Sequence, residues 1–369
     1  MSGGSRGAGP TAVLVQPVGG IGEVLAGADL GAVIGAALVA AGVRDGDIIA
    51  VTSKVISKAF GLTSSAPDRR AVVAQETAAV VAERMTSTGA TRIVQGHHGV
   101  VMAAAGVDAS NVGPSGALLL LPHDPDQAAN DLLQSLTEYL RLTLGQAPDL
   151  GIVLTDTAGR PWRGGQTDFA LGAAGLRVLV DYRGQEDTDG RPMEVTAVAV
   201  ADEIAAAADL VKGKISRTPV AIVRGLAHLV DPSTAGGARR LVRTGPSDFF
   251  AMGHIEAARA ALGVAPGSPL AETVGIRAIF SESIHDRLAR AVRVALGTDG
   301  AGLEPVRAEL SDGLDSTVEI SPSITLTSTD DYAVGRAVAR LEVALWSESL
   351  DFTLRARSPG RVTGTVASR

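Results

Sequence analysis

From residue 151 to residue 168 the chain reads GIVLTDTAGRPWRGGQTD. Ile152, Val153 and Leu154 form a short apolar run that reads as a buried strand. Thr155, Asp156 and Thr157 follow at its end, then a glycine-containing basic loop with Arg160 and Arg163. Open α/β sheets place their ligands at the carboxyl ends of strands. A carboxylate flanked by hydroxyls can hold a hard divalent cation, and arginines with glycine amides can hold phosphate. The same residues would also serve as a turn or a helix N-cap.

A second carboxylate stands in a similar setting. The small apolar run 100–106 leads into Val107, Asp108, Ala109, Ser110 and Asn111. Asn111 can both donate and accept, as base or ribose recognition requires, although Asp-x-Ser-Asn also forms Asx-type turns readily. Mg²⁺ on nucleotide phosphates takes one or two protein carboxylates and keeps waters, so Asp108 and Asp156 together suit it. A third stretch, SKVISK at 53–58, follows the apolar run 48–52. Lysine ammonium groups and serine hydroxyls there suit polyphosphate, or equally a solvated edge; the glycine spacing of a Walker A loop is missing. Adjacent His97 and His98 point different ways on an extended chain and read as a loop rather than a metal pair. Lys212 and Lys214 close an alanine-rich helix that begins with Asp202 and Glu203. The helix dipole explains that placement, and contact with an anion would too.

These residues need elements to hold them. The chain has 369 residues, enough for two or three domains at roughly 150 each. Hydrophobic residues make up 46% but aromatics only 3%, so the core must be built from Ala, Val, Leu and Ile. A net charge of -7 argues against general nucleic-acid binding while leaving a local basic pocket open. The absence of cysteine excludes disulfides, thiolate catalysis and cysteine-ligated metal. The small polar leader 1–11 reads as disordered. The apolar stretch 32–43 falls short of the ~20 residues that span a bilayer, so no membrane partner and a cytoplasmic location are expected. Strands are expected at 12–18, 48–52, 92–95, 118–121, 152–154, 176–182, 195–200 and 219–223. Helices are expected from the Asp29 cap to 41, over 70–85, up to 144 and over 201–211, with a small-residue helix or turn at 167–174. After a linker at 228–237 the composition changes: helices at 249–262, 283–296 and 330–346, and strands at 318–320, 324–327 and 352–356. Glu272, Glu282, His285 and Asp286 there form no chemical constellation.

Four stretches carry a resemblance: GDIIAVTSKVISKA, AAAGVDASNVG, IVLTDTAGRPWRGGQTD and AVADEIAAAADLVKGK. In this order they resemble the coenzyme F420-0:γ-glutamyl ligases, the CofE family, which also forms the amino-terminal half of FbiB proteins. The resemblance implies a mixed α/β fold of CofE type over 12–242, a smaller α+β accessory domain over 243–369, and a homodimer. It implies GTP-driven ligation of L-glutamate to coenzyme F420-0 through an acyl phosphate, with γ-linked extension of the tail. Mg²⁺ or Mn²⁺ is implied, with K⁺ as an optional further ion. By matching position, Asp108 and Asp156 would be metal carboxylates and Thr157 a ligand to a second metal. Ser53, Lys58, Asn111 and the loop Ile21, Gly22, Glu23 and Val24 would contact GTP. Asp108, Asp156 and Lys58 would be the catalytic set. The family has Leu-Pro where this chain has Ile21-Gly22. Long homologues continue into a flavin-binding, nitroreductase-like domain, and its arginine-rich opening is absent here, so flavin is not expected. The alternatives are a regulatory protein that retains the pocket, or a bifunctional enzyme whose tail performs another step on the same coenzyme.

Overall fold

The computed structural model describes residues 12–109, 116–214, 216–234, 236–243, 245–297, 307–311 and 322–369. The chain divides into two compact units. The first comprises residues 1–78 and 95–247; the second comprises 79–94 and 248–369. The expected strand at 318–320 and Asn111 lie outside the described residues.

Along the chain come β1 (Leu14–Val18), α1 (Leu30–Ala40), β2 (Ile48–Thr52), α2 (Ser53–Ala59), β3 (Thr63–Ser64), α3 (Arg69–Gln75), β4 (Thr77–Thr86) and β5 (Gly89–Gly96). Next are β6 (Val101–Ala103), β7 (Leu118–Leu119), α4 (Pro125–Leu144), β8 (Gly151–Arg160), β9 (Arg163–Ala174), β10 (Val180–Asp181), β11 (Ala197–Val198), α5 (Val200–Lys212) and β12 (Val220–Arg224). The heart of the first unit is a five-stranded sheet in the order β1-β12-β2-β8-β9. Only β2 and β8 run parallel, with Thr52 opposite Thr155; the other neighbours are antiparallel. Strands β2 and β12 are almost wholly apolar because both faces of the sheet are covered. Ile49, Val51, Ile152 and Leu154 face the side packed by α1 and α4. Ile48, Ala50, Val153 and Ala221 face the side packed by α5. With few aromatics, close approach replaces bulk. Gly31 and Gly35 of α1 sit one turn apart, and a Cβ on either would collide with Ser135 or Tyr139 of α4.

Caps hold the helices where the sequence places them. Asp29 accepts from Ala32 N at 3.0 Å, and Asp124 accepts from Gln127 N at 3.0 Å ahead of Pro125. Gly145 closes α4 in the left-handed region. Two expectations fail for a shared reason. The helical period over 70–85 ends at Gln75, and β4 takes over where Thr77, Val80 and Val81 concentrate β-branched side chains. Residues 167–174 are part of β9, not a helix or turn. Phe169 pairs with Asp156 and Ala173 with Val153, and the cross-strand partner overrides local propensity. The expected strands at 176–182 and 195–200 shrink to the two-residue pair β10 and β11.

In the second unit, α6 (His254–Ala261), α7 (Pro269–Val274), α8 (Ile284–Leu296), β13 (Arg307–Ser311), β14 (Ser323–Thr327), α9 (Asp331–Ser347), β15 (Leu350–Ser358) and β16 (Arg361–Ser368) follow in order. An antiparallel sheet β13-β14-β16-β15 shares a core with the helices, including Leu288, Val294, Ile324, Leu326, Leu341, Leu345 and Val366. Residues 361–368 form β16: Val362, Gly364 and Val366 alternate inward with Thr363 and Thr365 outward. Residues 79–94, the body of the β4–β5 hairpin, belong here. Gly253 N donates to Val81 O at 2.8 Å, Met85 N to Arg277 O at 2.8 Å and Ile279 N to Met85 O at 3.0 Å. Among the described residues, no helix is long and apolar enough to cross a membrane.

Candidate active site

The parallel pairing of β2 with β8 sets the carboxyl end of β2, at Thr52, beside Thr155 in the middle of β8. Helix α2 starts immediately after β2, so Ser53 and Lys54 occupy its first turn beside Asp156. Ser53 Oγ donates to Asp156 Oδ1 at 3.3 Å. Lys54 forms an ion pair with Asp108. Asp108 is held by backbone bonds to Leu119: its N–H donates at 3.1 Å, and its carbonyl accepts from Leu119 N at 2.8 Å. Asp156 is only partly accessible. Burial pushes its carboxyl up to about 6, against the opposing pull of Lys54, the Thr157 N–H and the Ser53 hydroxyl; the charge of Asp168 pushes it further up. Lys54 thus links the two carboxylates, ion-paired to Asp108 and near enough to Asp156 to stabilise its ionised form.

Strand β8 does not end at Leu154. It runs on to Arg160 and folds back as β9, so the expected basic loop is the tip of a long hairpin. Arg160 and Arg163 stand exposed there. Four residues of extended chain carry Arg160 about 13 Å beyond Asp156, which removes it from the cluster. What the hairpin supplies instead is Asp168, paired across from Thr157. Asp168 is buried and accepts from Thr155 Oγ1 at 2.9 Å, Thr157 Oγ1 at 2.7 Å and Lys212 Nζ at 2.8 Å. Burial alone would raise its carboxyl; the Lys212 charge and these hydrogen bonds outweigh it and hold it below the usual range. Lys214 Nζ, which is exposed, donates to Thr157 Oγ1 at 2.8 Å. Sequence reasoning passed over Asp168. The signal was the alternation of Phe169, Leu171 and Ala173 with smaller residues, which places Asp168 on a strand facing Thr157.

The remaining candidates are sorted by burial. Lys58, in the last turn of α2, pairs with Glu23. Ile21 and Val24 are buried in the core and pin their loop, while Gly22 and Glu23 between them are exposed. Ser57 turns inward, donating to Leu120 O at 2.6 Å, and serves packing. His98 is buried, and burial lowers its imidazole; His97 is exposed beside His123. The two histidines occupy the turn after β5, one exposed and one buried. At the opposite, amino end of β2, the fully buried Asp47 takes both ends of the Arg224 guanidinium at 2.8 and 2.7 Å. That pair closes the sheet and is remote from the cluster.

Among the described residues, no three His, Cys, Asp or Glu side chains cluster as a metal cage. Two carboxylates and a hydroxyl nonetheless suit a hard cation whose other ligands are phosphate oxygens and water. The fit has an observation behind it. Asp156 is ionised only at a cost where it stands, because Lys54 offsets its burial only in part. Thr157 gives its proton to Asp168, so its lone pairs face outward.

Carboxylates, hydroxyls and lysines gather where the parallel pairing of β2 with β8 ends, the edge at which α/β sheets place their ligands. The family profile described as F420-0:Gamma-glutamyl ligase matches residues 20–225, and the chain belongs to that family. A Coenzyme F420:L-glutamate ligase of Halobacterium salinarum is 39% identical over 230 residues, covering 56% of this chain and 85% of the relative. The protein of the same name from Methanopyrus kandleri is 36% identical over 224 residues, covering 56% and 86%. That from Methanothermobacter thermautotrophicus is 37% identical over 224 residues, covering 56% and 85%. The matched segment contains every site residue described above.

Proposed function

We propose that this chain ligates L-glutamate to coenzyme F420-0, driven by GTP and a divalent cation, Mg²⁺ or Mn²⁺. The observation that carries the reading is the meeting of Ser53, Lys54, Asp108 and Asp156 where the pairing of β2 with β8 ends, within the family-matched segment. The cation, held by Asp108 and Asp156 with Thr157 at a second position, would neutralise charge on the transferring phosphoryl group. Lys58, released from exposed Glu23, would meet phosphate oxygens, and Ser53 and the Ile21–Val24 loop would supply further GTP contacts. A carboxylate oxygen of the precursor attacks the γ-phosphorus of GTP and GDP leaves. The amino nitrogen of glutamate then attacks the acyl carbon, phosphate departs, and the nitrogen gives up a proton. This chemistry needs positioning and charge neutralisation rather than a protein nucleophile, which suits a chain without cysteine.

Mass spectrometry of the purified protein incubated with F420-0, glutamate, GTP and Mg²⁺ tests this directly. The expected product gains one glutamyl residue, and GDP forms in equal amount. GTP consumption without a glutamylated product would reject the ligase reading and favour a nucleotide-binding role. A homodimer belongs to the same reading and is checked by light scattering.

A further inference from the structure

The pair Lys212–Asp168 has no role in the reaction proposed above, yet it is among the most buried charges of the first unit. Lys212 is 3% exposed and Asp168 5%. A buried ion pair is a poor source of stability, because desolvation offsets its Coulomb attraction and apolar replacements often fold as well. The Asp47–Arg224 pair at the other end of the sheet has a plain structural office, since it also ties down Arg44 N and Gly42 O. The side-chain donors that reach Asp168, by contrast, come from Thr155, Thr157 and Lys212. Lys212 in turn donates to Thr155 Oγ1 as well as to Asp168.

Each hydroxyl has one proton and two lone pairs. Thr155 gives its proton to Asp168 and receives from Lys212, so its orientation is fixed from both sides. Thr157 gives its proton to the other carboxylate oxygen, Oδ1, and is left with lone pairs directed away from Asp168. Lys214 donates to this hydroxyl from the exposed side, which shows that an acceptor is presented to a cation there. Without the Asp168 oxygen as its acceptor, the Thr157 hydroxyl would be free to rotate and turn its proton toward that cation.

We infer that Asp168, held ionised and immobile by Lys212, is a positioning residue that forces Thr157 to act as an acceptor toward a bound cation. This role presupposes that the strand end is a cation site, as proposed above. Lys212 is suited to it as the last residue of α5, where the helix dipole favours a cation, and its aliphatic stem is packed in the interior. Outer partners that orient a ligand typically change metal affinity by about 10–100-fold when removed.

The test uses Mn²⁺ alone as probe, titrated into the full chain and followed by the EPR signal of free Mn²⁺. The double variant Asp168→Asn/Lys212→Met removes both charges and leaves neither stranded. It is expected to fold, by circular dichroism, and to bind Mn²⁺ at least tenfold more weakly than the wild type. Thr157→Val is expected to weaken binding strongly in the wild-type background and by less than twofold in the double variant. Non-additivity of that kind marks an effect transmitted through Thr157, which a purely structural pair would not produce. Wild-type affinity in the folded double variant, or equal losses from Thr157→Val in both backgrounds, overturns the inference. If the double variant does not fold, Asp168→Glu keeps Lys212 paired while displacing the carboxylate, and it is expected to bind at least tenfold more weakly. A folded Asp168→Glu protein with undiminished affinity overturns the inference as well. A wild-type protein that binds no Mn²⁺ overturns the cation site itself, and the role of Asp168 with it.

Discussion

At the scale of single residues, Asp156 and Asp168 are two carboxylates on neighbouring strands with opposite environments. Asp168 is paired with a buried lysine, while Asp156 has burial raising it and Lys54 only partly compensating. The linkage follows from the direction of each shift. Asp156 titrates near 3.8 when unfolded and at about 6 when folded, so its contribution to stability is fully present below about 3.8 and lost as pH rises through 6. The loss is on the order of 3 kcal/mol. Asp168 behaves in the opposite sense: its contribution is present above the unfolded value and lost as pH falls through the lower folded one. Asp156→Asn is therefore expected to stabilise the cation-free protein at pH 7 and to leave stability unchanged at pH 3.5, as urea melts in chelator would read. Metal-dependent GTP turnover is expected to vanish in the same variant. A variant no more stable than the wild type at pH 7 would contradict the strained environment of this carboxylate, and normal turnover would contradict its role as a cation ligand.

At the scale of elements, what was legible in the sequence depended on whether the partner was local. The cap at Asp29, the apolar run of β2, the SKVISK stretch and the carboxylate after Leu154 all announce themselves within a few residues, and α1, β2 and α2 form where those signals lie. Residues 163–174 were opaque because their small side chains suit a turn or helix as well as a strand. Only β8, already in place, decides between them. The particular partners of Lys54 and Asp168 were hidden for the same reason, since one is set by its proximity to Asp108 and the other by its place opposite Thr157. The β4–β5 hairpin is the sharpest case. Nothing near residue 80 in sequence reveals that its backbone partners are Gly253, Arg277 and Ile279. Truncation after residue 247 would therefore strip the hairpin of those partners and leave Val81 and Met85 on an open strand edge, a template for association. The expected result is aggregation on size-exclusion chromatography. Removing 79–94 as well, with a short glycine-containing turn in its place, is expected to restore a discrete species that still ligates glutamate. Equal behaviour of the two truncations would show that the hairpin does not depend on the carboxyl-terminal residues.

At the scale of the whole molecule, the chain carries two separate cores; the candidate site falls in the first unit, while the family match over 20–225 also takes in residues 79–94 of the second. The second packs an aliphatic core and also buries an ionic knot. Glu348, fully buried at the end of α9, accepts from Arg259 and from Arg290 at 3.0 and 2.7 Å, and Arg290 also grips Glu282 at 2.6 and 2.7 Å. Burial would lower the Arg290 guanidinium, but Glu348 and Glu282 outweigh it and raise it above its ordinary value. Removing one member of such a knot leaves like charges facing each other in a dry interior, at a cost of about 3–5 kcal/mol. Two cores of this kind should melt as two transitions in calorimetry rather than one. Glu348→Ala is expected to lower the transition of the second unit by about 10 °C or more and to leave the other transition unmoved. Mn²⁺ should raise only the transition that Glu348→Ala does not touch, because the cation site and the ionic knot lie in different units. A single transition that responds to both the substitution and the ion would show that the units unfold together.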